Sequence, residues 1–348
     1  MSSINIVYNI LFTFFLILIL ILKSQKFNSL NIIFSIFAVT LASLLISQRS
    51  IYPEDDLVNY MNLYQDLGQG NWELVKSFAG GLEFGFPLLL SGLSLFNINL
   101  DLSHFAFLNS LFISYLFLFV IYRIWYENYP ETSISSILVI SISFFSFFAA
   151  THNLRQEISS ILLFYALMTA TRNKYFILFF ATIFHVTSII IFQFFVLINN
   201  YNKLILLIII TIFLKINIES ILDFISSQEY FIGKEKFSAL NIVIDDLTTK
   251  DKYYNLIKLS ILGFLYITNK NNISKNFIPF FYFIIFGIFL YILFFQNQIP
   301  IDRMYNLLLN VFFGLFLFIF LYKCRIKIFI FSFIGIIYQS YLLYVYSN

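Results

Sequence analysis

The sequence predicts an all-α, polytopic integral membrane protein with about ten full transmembrane helices, a re-entrant segment and a helical hairpin. Apolar residues make up 60% of the 348 positions and charged residues only 11%. Apolar runs recur from Ile4 to Tyr346 between short polar connectors, and about 20 such residues suffice to cross the roughly 30 Å hydrocarbon core of a bilayer. Runs such as Ile10 to Leu22 and Leu204 to Ile212 do not alternate apolar with polar residues, as the strands of an outer-membrane barrel must.

The first run, Ile4–Leu22, has no basic residue ahead of it and no small-residue cleavage site behind it, so it reads as a retained span. Further spans are expected at Leu30–Ile46, Ser103–Tyr122, Ile134–Ala150, Gln156–Thr171 and Leu204–Ile218. The remainder are Tyr254–Ile267, Phe277–Phe295, Tyr305–Leu321 and Ile328–Tyr346. Basic, acid-free connectors occur at Lys23/Lys26, Arg172/Lys174, Lys270/Lys275 and Lys323/Arg325/Lys327, which places them in the cytoplasm. The acidic or mixed stretches Arg49–Asp101 and Glu219–Lys258 then lie outside.

Counting crossings between these fixed points constrains two further apolar stretches. Three spans already connect Asp56 outside to Arg172 inside, so Phe84–Ile98 has to dip in and return, or lie on the outer surface. Tyr175–Ile198 has to begin and end inside, as a helical hairpin turning near His185, roughly 15 Å deep. The competing arrangement is a straight crossing there with a re-entrant loop within Leu204–Ser226. The organisation is one membrane domain over 1–348, with a long outer segment at 47–102 and a second outer loop at 219–253.

Composition also excludes. A single cysteine, Cys324, leaves no internal disulfide and no cysteine-based metal cluster. The net charge of +3 reflects topology more than partners, and neither a nucleic-acid footprint nor an internal repeat is visible. Asp55-Asp56 is a carboxylate pair without spaced partners, so no metal site is expected.

The informative residues are the polar ones at or beside membrane depth. Arg49, Arg155 and Arg303 fall on the outer side, against the usual bias of basic residues. Arg155-Gln156 opens a span from its outer end, where a bidentate guanidinium and the positive end of the helix dipole together suit a phosphate group. A snorkelling arginine paired with Glu157 is the plainer alternative. His185, in Phe-His-Val-Thr-Ser, is the deepest histidine. It is a candidate for proton transfer, or else a neutral imidazole bonded to a neighbouring helix. Asp302-Arg303, after Pro300, either neutralise one another or add a second outer arginine beside Arg155. Asp55, Asp56, Tyr60, Tyr64 and Glu83 belong to the long outer segment. Carboxylates and tyrosines of this kind bind sugar hydroxyls, and a carboxylate can act as general base.

The order of these motifs resembles the EpsG/Wzy-like family of bacterial polysaccharide polymerases. An acidic, tyrosine-containing outer loop precedes Glu-x-Gly-Phe at 83–86, then Arg-Gln at 155–156, Phe-His-x-x-Ser at 184–188 and a late outer Arg303. The match runs from about Asp55 to Arg303. It departs from the family at Val186-Thr187-Ser188-Ile189, where a small residue usually follows the His-x-Ser part.

The resemblance implies a multi-pass glycosyltransferase of the bacterial cytoplasmic membrane. Such an enzyme moves a growing glycan from undecaprenyl diphosphate onto a fresh lipid-linked repeat unit outside the cytoplasm. Its implied partners are the lipid-linked donor and acceptor, the bilayer and a chain-length regulator. No cofactor is called for, because the donor carries its own diphosphate leaving group. On this reading Arg155 and Arg303 clamp the diphosphate and His185 serves acid/base chemistry or orientation. Asp55, Asp56, Tyr60, Glu83, Gln156, Ser188 and Asp302 then contact substrate. A lipid-linked glycan flippase would show pseudo-symmetric halves. An O-antigen ligase or a membrane acyltransferase shares the outer arginine and histidine, and a ligase cleaves the same diphosphate bond as a polymerase.

Overall fold

A computed structural model describes residues 3–52, 55–78, 83–95, 100–169, 173–198, 200–216, 249–273, 277–293 and 299–347. Most of the expected outer loop at 219–253 lies outside the described residues, as do the side chains of Asp302 and Arg303. Among the described residues every regular element is a helix. Among these residues, four helices are long and apolar enough to cross a membrane: Ile4–Ile21, Gln25–Ser47, Leu102–Asn128 and Arg325–Tyr346. Shorter apolar helices account for the other runs, including Gly85–Ser94, Ile134–Ser143, Lys174–Phe184 and Thr187–Leu197.

The chain divides into two compact units, Met1–Ile189 with Asn310–Asn348, and Ile190–Leu309. The first unit contains α1 (Ser3–Ile21), α2 (Asn28–Ser47), α3 (Asp56–Gly68), α4 (Glu73–Ser77), α5 (Gly85–Ser94), α6 (Leu102–Asn128), α7 (Ile134–Ser143) and α8 (Ala149–His152). It continues with α9 (Leu154–Met168), α10 (Lys174–Phe184) and the first turn of α11 (Thr187–Leu197). The second unit holds the rest of α11, then α12 (Tyr201–Ile216), α13 (Thr249–Asn269), α14 (Ile278–Leu293) and the start of α15 (Ile299–Leu321). The end of α15 and α16 (Arg325–Tyr346) return to the first unit.

Lipid supplies little hydrophobic drive between helices, so small and polar residues decide where membrane helices meet. The first unit follows that rule. Ser43 of α2 accepts from Ser110 of α6 at 3.1 Å and lies 3.4 Å from Ser114. Asn5 and Asn9 of α1 donate to the Ser347 and Ser340 carbonyls at 3.1 and 2.9 Å, and Thr13 pairs with the Ser340 hydroxyl at 2.7 Å. Gly314 faces the Ile140 carbonyl so closely that an added Cβ would fall onto the oxygen. Gly314→Ala should therefore destabilise the protein by about 1–3 kcal/mol, read as a lowered unfolding temperature in detergent; an unchanged temperature would show that α7 and α15 part without cost.

The expected span Ile134–Ala150 is corrected by the structure. Its helix stops at Ser143, residues 144–148 belong to no helix, and α8 resumes at Ala149. The Ser146 N–H bonds the Asn310 carbonyl of α15 at 3.0 Å instead of continuing the helix. Phe145 stacks on Phe117 at 4.4 Å, and Phe144 meets Phe313 edge-on at 5.4 Å. A break at membrane depth is tolerated where neighbouring helices bond the freed backbone groups.

Within the outer segment, α3 forms because Asp55 caps it, accepting from the Leu57 N–H at 2.9 Å. Leu57, Tyr60, Met61, Tyr64 and Leu67 recur at helical spacing and are buried. α5 has 10 residues, about 15 Å of helix and too little to span a bilayer. Gly85 at its start packs onto Ile183, whose Cγ1 and carbonyl oxygen would lie 2.9 and 3.0 Å from an added Cβ. The helix expected to turn near His185 does break there, between the end of α10 at Phe184 and the start of α11 at Thr187.

Aromatic packing and polar ties hold the second unit. Phe194 and Phe195 meet Phe283 at 5.4 and 5.2 Å. Tyr305 donates to the Phe283 carbonyl at 3.0 Å, and Asn255 donates to Asn306 at 2.7 Å.

The topology has a direct test. With Cys324 replaced by serine and single cysteines introduced in turn, position 56 should react with a membrane-impermeant maleimide from outside. Positions 174, 203 and 270 should stay unlabelled. Labelling at 203 would refute the hairpin.

Candidate functional site

Glu83 lies just before α5, with its side chain 1% exposed. A carboxylate this deep has to be paired and hydrogen-bonded, because desolvation alone would otherwise neutralise it. Its partners come from two distant parts of the chain. Oε2 accepts from Arg155 Nη1, in the first turn of α9. Oε1 lies 2.8 Å from His185 Nδ1 and 3.3 Å from the Val186 N–H.

His185 reaches Glu83 because the chain is extended there, with φ −157° and ψ 114° at the end of α10. The break is well bonded. The His185 N–H donates to the Ala181 carbonyl at 3.0 Å, and Ser159 of α9 donates to the same oxygen at 2.8 Å. Ser159 also pairs with the hydroxyl of Ser188, which is fully buried. His185 Nε2 meets Thr187 Oγ1 at 3.4 Å, so both ring nitrogens have partners.

Arg155 retains 29% exposure. Its guanidinium lies 5.3 Å from the centre of the Phe78 ring, and its charge acts on the Tyr60 hydroxyl. Burial pushes the Tyr60 hydroxyl up to about 12, which keeps it neutral. Tyr60 is fixed in turn by Phe86 of α5, edge-on at 4.7 Å.

A second cluster of the same composition lies in the same unit. Arg49, just past α2, pairs with Asp55 at 2.6 Å, the two side chains being 4% and 5% exposed. Arg49 Nε donates to Thr151 at 3.1 Å, and His152 Nδ1 lies 3.0 Å from Asp55 Oδ1. Burial alone would raise the Asp55 carboxyl, but the Leu57 N–H and the Arg49 guanidinium outweigh it and hold the group below its usual value. The Phe148 ring stacks on His152 at 5.6 Å and on Tyr346 at 4.7 Å, and lies 5.1 Å from the Arg49 guanidinium carbon. Helix α3 neighbours both clusters: Asp55 caps it, and Tyr60 in its second turn feels the Arg155 charge.

The structure thus gathers Arg155, His185, Glu83 and Tyr60, and places Asp55 in the neighbouring cluster. Several of the expected substrate contacts are buried: the carboxylates of Glu83 and Asp55, the Tyr60 ring and the Ser188 hydroxyl make contacts within the protein. Asp56 and Gln156 are half-buried. Asp302 and Arg303 sit near the start of α15, in the second unit, with side chains outside the described residues.

Arg49 and His152 went unnoticed as site residues. Arg49 carried a signal, a basic residue on the outer side, whereas His152 offered only its place beside Arg155. Among the described residues no group of three or more His, Cys, Asp or Glu side chains could hold a metal ion.

The sequence profile of the EpsG family matches residues 32–348. The chain belongs to the EpsG family. The match covers both clusters and Arg303, and EpsG membership points to a membrane polysaccharide polymerase. No curated protein and no solved structure matches the chain. The family match bears out the EpsG resemblance drawn from motif order, and Glu-x-Gly-Phe, Arg-Gln and the His segment are three parts of one bonded assembly.

Proposed function

We propose that this protein is a polysaccharide polymerase of the bacterial cytoplasmic membrane, transferring a growing glycan from undecaprenyl diphosphate to a lipid-linked repeat unit on the outer side. The observation that carries the reading is the partly exposed Arg155, held by a buried carboxylate at the start of a helix. Transfer breaks the bond between the anomeric carbon and the diphosphate oxygen, and the electron pair leaves with the diphosphate. A guanidinium already fixed at one edge stabilises that growing charge without reorganising, and the α9 N-terminus adds its dipole. His185, bonded on both ring nitrogens, orients the site through Glu83. Arg303 is a second candidate for the diphosphate, and Asp56 and Gln156 are candidates for sugar contact.

Deletion of the gene followed by gel separation of the cell's polysaccharide tests the reading. Loss of long chains with single repeat units retained is the polymerase outcome. Retention of long chains on the lipid carrier indicates a ligase, and failure of units to reach the outer face indicates a flippase. Because arginines and a helix terminus provide the charge stabilisation in this mechanism, purified protein should extend lipid-linked units in the presence of EDTA. Abolition by EDTA with rescue by magnesium would overturn that account and return Asp56 to consideration as a ligand.

A further inference from the structure

Of the two histidines bonded to buried carboxylates, only one has a ring nitrogen left for chemistry. His185 engages Glu83 through Nδ1 and Thr187 through Nε2. His152 engages Asp55 through Nδ1, at 3.0 Å, while its Nε2 makes no bond among the described residues. Its side chain is 34% exposed, against 20% for His185. We propose that His152, oriented by Asp55, is the general base that takes the proton from the acceptor sugar hydroxyl. The assignment rests on the polymerase reading and names the proton acceptor for that reaction.

The geometry explains why Asp55 is buried and why Arg49 accompanies it. An ionised carboxylate accepts the Nδ1–H, which selects the tautomer with its lone pair on Nε2. Arg49 and the Leu57 N–H keep Asp55 ionised, so the proton stays on Nδ1 and Nε2 remains the acceptor. Stacking on Phe148 fixes the ring plane. His152 ends α8, three positions before Arg155, and the cap of α3 holds His152 while Tyr60 in its second turn feels the Arg155 charge. The base and the diphosphate clamp thereby lie on neighbouring segments of one unit.

The step balances without a co-reactant. The acceptor hydroxyl passes its proton to Nε2 as its oxygen bonds the anomeric carbon of the donor. The carbon–oxygen bond to the diphosphate breaks, and undecaprenyl diphosphate leaves with the electron pair. The imidazolium then releases its proton to solvent.

The test uses purified full-length protein extending lipid-linked repeat units of its own polysaccharide, with His152→Gln, His152→Ala and His185→Gln compared with wild type. His152→Gln retains a polar contact to Asp55 and should keep the wild-type unfolding temperature. Its kcat should fall by roughly 10²–10⁴-fold, with KM for the acceptor little changed. His152→Ala should regain part of its rate as imidazole is added, because the half-exposed position can admit the free base. His185→Gln should show no such rescue. A His152→Gln enzyme with near-wild-type kcat, or with the loss confined to KM, would overturn the assignment while wild-type elongation left the polymerase reading intact. Wild-type protein that extends nothing would overturn the polymerase reading and this assignment with it.

Discussion

Arg155→Lys should stop chain elongation while the protein still folds and inserts. The lysine keeps a positive charge beside the buried Glu83, so the carboxylate stays paired and stability changes little. It loses the planar fork that binds Glu83 and presents further donors to a diphosphate. Removing a preorganised donor from such a site costs about 10²–10³ in kcat, or about 3–4 kcal/mol of transition-state stabilisation. The measurement is polymer length in cells together with single-turnover extension by purified protein. Near-normal chains from the lysine variant would show that charge alone suffices there.

Glu83→Ala should do more, unfolding the site as well as silencing it. The substitution strips the buried partner from both Arg155 and His185 and takes the acceptor from the Val186 N–H. Breaking a buried ion pair from one side costs about 3–5 kcal/mol; the partial exposure of Arg155 places the loss toward the lower figure. Glu83→Gln keeps the volume and one acceptor, so it should lose less stability yet still lose activity, because Arg155 is no longer held by charge. Thermal unfolding in detergent and elongation by the same preparations check the pair. Wild-type stability in Glu83→Ala would mean that Arg155 and His185 hold their places without it.

Hydropathy made the membrane class legible because the bilayer acts on every residue of a span separately, and twenty independent choices add to a strong signal. The same physics marked Arg155, His185 and Glu83: polar groups at membrane depth are expensive, so each stands out alone. Their pairing was not legible. The sequence offered Arg155 a nearby partner, Glu157, whereas the structure pairs it with Glu83, 72 positions away. Arg49, Asp55 and His152 were scattered for the same reason, with 97 positions separating Asp55 from its histidine. The uninterrupted apolar run Ile134–Ala150 concealed a broken helix, since hydropathy cannot report that Ser146 bonds the Asn310 backbone.

By itself, then, the sequence determined the membrane and helical class of this protein, its EpsG membership and which polar residues stand out beside its apolar runs. Tertiary structure alone decided what those residues do for one another. Apolar burial is additive and local, readable one position at a time. A buried charge is stable only through a particular partner at hydrogen-bond distance, and folding chooses that partner across the whole length of the chain.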